Sequence, residues 1–272
     1  MSDGPTDWAS GESGIVGGIR LGVRTRVEDA LLDARRWATL MPLRLHRAAR
    51  HVPARRLSVL AIGVEREDRA NLMPQARAEL ARSRHDVEIA TSGVGGRGKF
   101  ENLNALIAAH PLEGRDWLLA LDDDVALPRG FLDDFLFLAE RFALKLAQPA
   151  HRRRSHAAWR VTRRSGGSVA RETGFVEIGP VCAFHKDTFA TLLPYPQLRA
   201  GWGLDSHWAA LAREHGWRIG VVDATPIRHV MRPIADSYRR ADAVAEAQAF
   251  LAERPYVTAV EAQRTLATHA RW

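Results

Sequence analysis

Cysteine is almost absent from these 272 residues: Cys182 stands alone. That excludes an intramolecular disulfide and a zinc site built on cysteines, and it suits a reducing compartment. Within the apolar run Val181-Cys182-Ala183-Phe184 it reads as a small buried hydrophobe, not a nucleophile. Long apolar runs are missing as well. No stretch approaches ~18 consecutive apolar residues, so no membrane span is expected, and the N-terminus lacks a basic region followed by an apolar core, so no secretory signal is expected. The expected location is the cytoplasm. Excess positive charge is scarce outside one segment: the net charge of +7 is unevenly spread. Residues 20–56 hold ten arginines against Glu28, Asp29 and Asp33, a local +7, which leaves −3 on residues 1–19 and +3 on residues 57–272. A nucleic-acid binder built on the whole fold would need a basic face on its globular part, so no nucleic-acid partner is expected.

What the chain does contain is apolar content of 46%, ample for the core of one large domain with extensions. Residues 1–19 are rich in glycine, serine and aspartate and are expected to be disordered. From Thr25 the pattern becomes helical. Thr25 and Glu28 have the spacing of a capping box, Arg35 and Arg36 close the helix, and Val27, Leu31, Ala34 and Ala38 form an apolar stripe expected to pack on the protein's own domain. The arginines, with Trp37, Leu40 and Met41, also suit docking on an anionic membrane, so peripheral contact at the inner face of the membrane through residues 20–56 stays open.

The globular part opens with an apolar strand over Leu57–Val64, a helix from Ala70 to Ser83 and a strand over Asp86–Thr91, a βαβ order that predicts parallel pairing. The loop from Gly93 to Lys99 carries four glycines and two cations, so its amides and charges could face phosphate, or it is a plain mobile loop; it is neither a P-loop nor a dinucleotide fingerprint. A helix over Phe100–Ala109 and a strand over Trp117–Leu121 follow, then a helix over Gly130–Leu144 and a strand over Leu144–Gln148. Residues 151–172 read as a basic, flexible insertion, and 175–184 as one strand bent at Gly179-Pro180. A helix over Ser206–His215, a strand over Arg218–Val222, an extended piece over Ile227–Val230 and two helices, Arg239–Glu253 and Val257–His269, complete the chain.

The acidic triplet Asp122-Asp123-Asp124 ends the strand that starts at Trp117, and carboxyl ends of strands in an open α/β sheet are where ligands bind. Three adjacent carboxylates repel unless a cation joins them, and a divalent metal would supply that charge; a turn leading to the next helix is the alternative use. Asp205, following Gly201-Trp202-Gly203-Leu204, is either a general base or the N-cap of the next helix.

Taken in order, the strand ending at Glu65, the Gly98-Lys99-Phe100-Glu101-Asn102-Leu103-Asn104 segment, the Asp122–Asp124 triplet, Gly201-Trp202-Gly203-Leu204-Asp205 and His229 resemble the nucleotide-sugar glycosyltransferases of the GT-A fold, of the family 2 type. Phe175-Val176-Glu177-Ile178 and the Gly-Trp-Gly-Leu-Asp segment are also similar to a family of unknown function placed near them. The resemblance spans roughly residues 57–232. It implies a GT-A-like, Rossmann-like α/β domain at 57–235, with a mostly parallel sheet flanked by helices, preceded by the tail and basic helix of 1–56 and followed by a helical extension, 236–272. It further implies a metal-dependent glycosyltransferase of the hexosyl type, with Mn²⁺ or Mg²⁺ held by Asp122, Asp124 and His229. The donor, a UDP- or GDP-sugar, would meet Glu65, Lys99, Asn102, Asn104, Asp122 and Asp123. A glycan or lipid-linked acceptor would meet Trp202 and Gly203. Asp205 would be the base of an inverting transfer and Glu177 its reserve. A nucleotidyl or phosphoryl transferase, or a non-catalytic nucleotide- or glycan-binding module, would use the same cluster.

Overall fold

The computed structural model describes residues 6–9, 19–51, 55–68, 70–230 and 239–272. Most of the tail expected to be disordered, and the 235/236 boundary, lie outside these. Of the tail, residues 6–9 are described: Trp8 is buried in the core, and the Asp7 carboxylate accepts a hydrogen bond from the Tyr256 hydroxyl.

In chain order the elements are α1 (Ile19–Ala38), α2 (Met41–His51), β1 (Ser58–Glu65), α3 (Met73–Leu80), β2 (Asp86–Gly93), α4 (Lys99–Ala109), β3 (Trp117–Asp122), β4 (Val125–Ala126) and α5 (Phe131–Arg141). Then come β5 (Leu144–His151), β6 (Ala170–Thr173), β7 (Val181–His185), α6 (Phe189–Leu192), α7 (Leu204–Glu214), β8 (Arg218–His229), α8 (Arg240–Leu251), α9 (Ala259–Ala262) and β9 (Thr265–His269). The strands join in one sheet of order β2-β1-β3-β7-β5-β8-β6-β9, with β4 paired to β8. The pairings place β2, β1, β3, β5, β8 and β9 in one direction and β7 and β6 against them, so the sheet is mixed but mostly parallel.

Burial explains why β1 and β3 read as continuous apolar runs. Leu60, Ile62, Leu118 and Ala120 face one core with α4 and α7, whereas Val59, Ala61, Trp117 and Leu119 face another with α3 and α5. Both faces are covered, so alternation is lost. Because β1, β3, β5 and β8 are parallel, their carboxyl ends, Glu65, Asp122, His151 and His229, reach the same edge of the sheet. That edge is where the site forms.

Four expectations are corrected. Residues 151–172 are not a flexible insertion: Arg164 and Arg171 are buried, held by Asp29, Asp33 and Asp223, and the segment ends in β6. Residues 175–180 are irregular and only Val181–His185 form a strand; Pro180, just before it, has no N–H to give to a ladder. The two pieces at 218–222 and 227–230 are one strand; Pro226 is accommodated where the β5–β8 register shifts, between Pro149 and His151. The last predicted helix is mostly not one, since β9 pairs with the otherwise open edge of β6.

Helix α1 does pack on its own domain, but with the opposite face. Thr25 and Asp29 are buried, Asp29 accepts the backbone amides of Arg153 and Arg154, and Asp29 and Asp33 bind the Arg164 guanidinium. The apolar stripe points to solvent: Val27 is 51% and Leu31 66% exposed. Helix α2 packs conventionally, burying Leu45 and Ala49.

Candidate active site

Three of the sequence-predicted residues meet at the carboxyl edge. Ligand atoms of Asp122, Asp124 and His229 lie within 4.8 Å of one another, and His229 Nε2 is 3.0 Å from Asp124 Oδ1. The backbone makes this meeting. Strand β4 pairs Val125 with His229, and the Val230 amide donates to the Asp124 carbonyl at 2.9 Å, which fixes the triplet against the end of β8. Burial opposes charge on His229, but the Asp124 hydrogen bond, with Asp122 and Glu177 behind it, wins and raises its pKa above the ordinary value. Two carboxylate oxygens and one imidazole nitrogen at mutual ligand distance are a donor set that could hold a divalent metal ion.

The opposite flank of Asp122 is cationic. Lys99, the first residue of α4, places its ammonium 2.5 Å from Asp122 Oδ1. Both atoms abut Gly179, where an added Cβ would sit 3.2 Å from Asp122 Oδ2 and 3.3 Å from Lys99 Nζ. One residue earlier, the Ile178 amide faces the Asp205 carboxylate and favours its charge, and beyond that lies Glu177. The Glu177-Ile178-Gly179 segment therefore ties the metal cluster to Asp205.

Asp205 is not the N-cap. Gly203, with φ 81°, caps α7, and Asp205 is the second residue of the helix. Its carboxylate accepts the Ser206 amide at 3.0 Å. Burial and then the neighbouring Glu177 charge push its pKa from 3.8 to about 7, and the amide hydrogen bonds oppose this without cancelling it. Trp202 is half-buried beside it under the Arg240 guanidinium, 5.9 Å from the ring centre. Gly203 is fixed by packing: a Cβ there would meet Leu251 at 2.8 Å.

Glu177 is buried and fully engaged. Its Oε2 is 2.7 Å from His151 Nε2, its Oε1 accepts the Trp159 amide at 3.0 Å, and its own amide donates to Gln148. Sequence reasoning missed His151 and Ser155. His151 ends β5 at the ligand edge, so its position at the end of an apolar strand was the available signal. Ser155 had none; its hydroxyl lies 3.4 Å from His151 Nδ1 and accepts the His229 amide at 2.8 Å.

Four predicted donor contacts have other partners. Asp123 is buried and accepts the Arg66 amide at 2.8 Å, which anchors the loop after β1. Asn102 donates to the Val94 carbonyl at 2.9 Å and ties down the glycine loop. Asn104 exchanges two 2.8 Å hydrogen bonds with the Tyr195 backbone. Glu65 is ion-paired with Arg77. Asp123, Asn102 and Asn104 hold backbone and Glu65 holds a side chain, whereas Lys99 projects its charge toward Asp122. Cys182 is buried and its thiol pKa is pushed up by burial, which removes it as a nucleophile.

No protein-family model matches the sequence, and no curated protein matches it. Among solved structures the fold is similar to the mannosyltransferase PcManGT from Pyrobaculum calidifontis, solved with GDP-Man and Mn²⁺, with TM-score 0.51 and 16% identity over 82% of this chain and 74% of that one. A197 from STIV matches with TM-score 0.45 and 11% identity over 65% of this chain and 87% of that one. GalNAc-T7, solved with UDP, GalNAc and Mn²⁺, matches with TM-score 0.45 and 12% identity; this chain spans 71% of itself and 47% of that chain in the match. The mannosyltransferase likeness shows a shared fold, a GT-A-like α/β architecture with a mostly parallel central sheet flanked by helices.

Proposed function

We propose that the protein is a metal-dependent glycosyltransferase that moves a sugar from a nucleotide-diphosphate donor, a UDP- or GDP-sugar, to a hydroxyl of a glycan or lipid-linked acceptor with inversion. The observation that carries this is the segment Glu177-Ile178-Gly179, which turns one amide toward Asp205 and abuts Asp122 and Lys99 with the next residue. It sets a carboxylate with a pKa near neutrality beside a divalent-cation donor set on a GT-A fold. The PcManGT structure, holding GDP-Man and Mn²⁺ on this fold, supports the donor class.

In this reading Asp122, Asp124 and His229 hold Mn²⁺ or Mg²⁺, which when bound supplies positive charge to the donor diphosphate. Lys99 turns from Asp122 to a phosphate oxygen and holds the leaving group in line. Asp205 accepts the proton of the acceptor hydroxyl as that oxygen bonds to the anomeric carbon, and the bond to the nucleoside diphosphate breaks with its electron pair on phosphate. A base with a pKa of about 7 is half ionised at neutrality, the condition under which proton acceptance is effective. Glu177 is the weaker candidate, because both of its oxygens are committed to His151 and the Trp159 amide. Trp202 offers a ring face to the acceptor sugar.

The test is thermal unfolding with UDP, GDP, CDP or TDP, each with Mn²⁺ or with EDTA. A nucleotide at ~100 times its dissociation constant adds ~2.7 kcal/mol, raising the midpoint by roughly 5 °C. A shift for one nucleotide that vanishes with EDTA supports the metal-bridged donor site. Sugar transfer that releases free nucleoside diphosphate then separates glycosyl transfer from nucleotidyl transfer, which releases pyrophosphate. No shift with any nucleotide in a folded sample defeats the reading.

A further inference from the structure

Helix α1 is mounted inside out. Thr25 is buried, Asp29 and Asp33 bind the domain, and Arg36 reaches the Ala224 carbonyl, so the polar stripe of an amphipathic helix faces protein. Val23, Val27, Leu31, Trp37, Leu40 and Leu43 are each more than half exposed, six of the nine exposed large hydrophobic side chains among the described residues. Ala30, Ala34 and Ala38 are exposed between them, which makes the stripe continuous along α1 and into the turn before α2. A helix held by ion pairs with its apolar face in water gains nothing from that face unless something covers it.

Charge identifies the cover. Arg24, Arg26, Arg35, Arg44 and Arg47 are exposed beside the stripe, whereas Asp29 is buried and Asp33 engaged by arginines. Glu28 is the one acid of α1 left near the exposed face, and it is paired with Arg24. An apolar stripe of small aliphatic side chains, a tryptophan near one end and arginine flanks match the interfacial region of a bilayer bearing anionic headgroups, where the alkyl groups enter and the guanidinium groups stay at the phosphates. A second copy of this chain is a poorer fit, because pairing the stripe on itself opposes arginine flanks.

We infer that the outward face of α1 and the α1–α2 turn docks the protein on an anionic lipid surface. Docking leaves the fold unchanged, since the polar face of α1 keeps its grip on Arg152, Arg164 and the amides of Arg153 and Arg154. The same loop brings Ser155 to His229, so the bilayer lies next to the segment that borders the metal cluster. This inference does not depend on the transfer reaction.

Flotation of the full chain with vesicles tests it. Vesicles of equal phosphatidylcholine and phosphatidylglycerol should carry the protein upward at low salt, phosphatidylcholine alone should not, and added salt should release it. The double variant Val27→Glu with Leu31→Glu should bind about a hundredfold more weakly, since each aliphatic side chain that enters the interface contributes about tenfold in partitioning. Both positions are exposed, so its unfolding temperature should match the wild type. Tryptophan quenching by bromine-labelled phosphatidylglycerol should be seen in the wild type and largely lost in Trp37→Phe. No flotation on anionic vesicles, equal flotation of the double variant, or quenching unchanged by Trp37→Phe each overturns the inference. So does a dimer by light scattering that the double variant abolishes in a protein that does not bind vesicles, which would make a second copy the cover.

Discussion

Replacing Asp205 by asparagine should stabilise the protein and stop its turnover. The folded state holds the Asp205 proton to about pH 7, against an ordinary value of 3.8. That gap of about three pKa units, at 1.36 kcal/mol each, means that ionising the group costs roughly 4 kcal/mol more in the folded protein than in the unfolded chain. Asparagine removes that cost but keeps a single carbonyl oxygen for the Ser206 and Ile178 amides, a loss of about 1 kcal/mol. A gain of roughly 2–3 kcal/mol remains. The sign follows from proton binding. Between the unfolded and folded pKa values the native state binds more protons, so wild-type stability falls as pH rises through that window, whereas the variant has no such group. Near pH 8 the variant should therefore melt about 5 °C higher than the wild type, and near pH 4, where Asp205 is protonated in the folded state and about half ionised in the unfolded one, the remaining cost of ionisation no longer exceeds the asparagine loss and the advantage should vanish. Scanning fluorimetry across pH measures this directly. In parallel, wild-type turnover should decline as pH drops below about 7 as the base is protonated, and the variant should bind nucleotide with unchanged affinity and turn over nothing. A variant no more stable than the wild type near pH 8, or equally stabilised near pH 4, would refute the burial argument. A variant that still turns over would remove Asp205 from the chemistry.

Substituting Asp124→Ala should abolish the metal-dependent part of nucleotide stabilisation, a loss of roughly 5 °C in midpoint shift, while leaving any metal-independent nucleotide binding in place. Arg164→Ala leaves Asp29 without its buried guanidinium and should cost about 3–5 kcal/mol in urea unfolding, the range for breaking a buried ion pair from one side. Gly201→Ala should cost about 2–4 kcal/mol: the position has φ 73° and its Cβ would lie 2.2 Å from the Phe100 ring, which is itself buried and cannot move far. Gly96→Ala, with open space around it, should be nearly neutral, which separates the steric effect from a general intolerance of the glycine-rich segments.

The central strands were readable because burial on both faces leaves a run with no alternation, and β1 and β3 lie within a residue or so of where the runs put them. The sheet's second half was not. Arg171 in β6 carries a buried charge that no strand pattern allows for, and what permits it is Asp223, which is 52 residues away in sequence. Strand β9 is a half-exposed edge strand, too short for its period to stand out after an α-helical run. The same distance problem governs the site. Asp122 and Asp124 form a visible pair, but His229 joins them through β4 pairing, and only the resemblance linked the three in advance. Helix α1 was legible as amphipathic, yet periodicity reports that two faces differ and is silent on which one faces the protein. That choice was made by Asp29 and Asp33 finding Arg152 and Arg164.

The charges of the site also bear on the proposal that Asp205 is the carboxylate available to act. Asp122 has Lys99, Asp124 has His229, and Glu177 has His151, each within 3.0 Å. Among the described residues Asp205 has the Ser206 amide and a like-charged neighbour, Glu177, but no cation among its partners, and burial raises its pKa. A group stabilised by a fixed cation is a poor proton acceptor, because the partner that favours its charge also lowers its basicity. Binding metal at Asp122 and Asp124 would deepen this difference, since it adds positive charge on the side of Lys99 and His229. In the proposed reading two tasks thus fall to carboxylates 81 residues apart in sequence: a compensated pair, Asp122 and Asp124, for a cation, and an uncompensated one, Asp205 at the start of α7, for a proton.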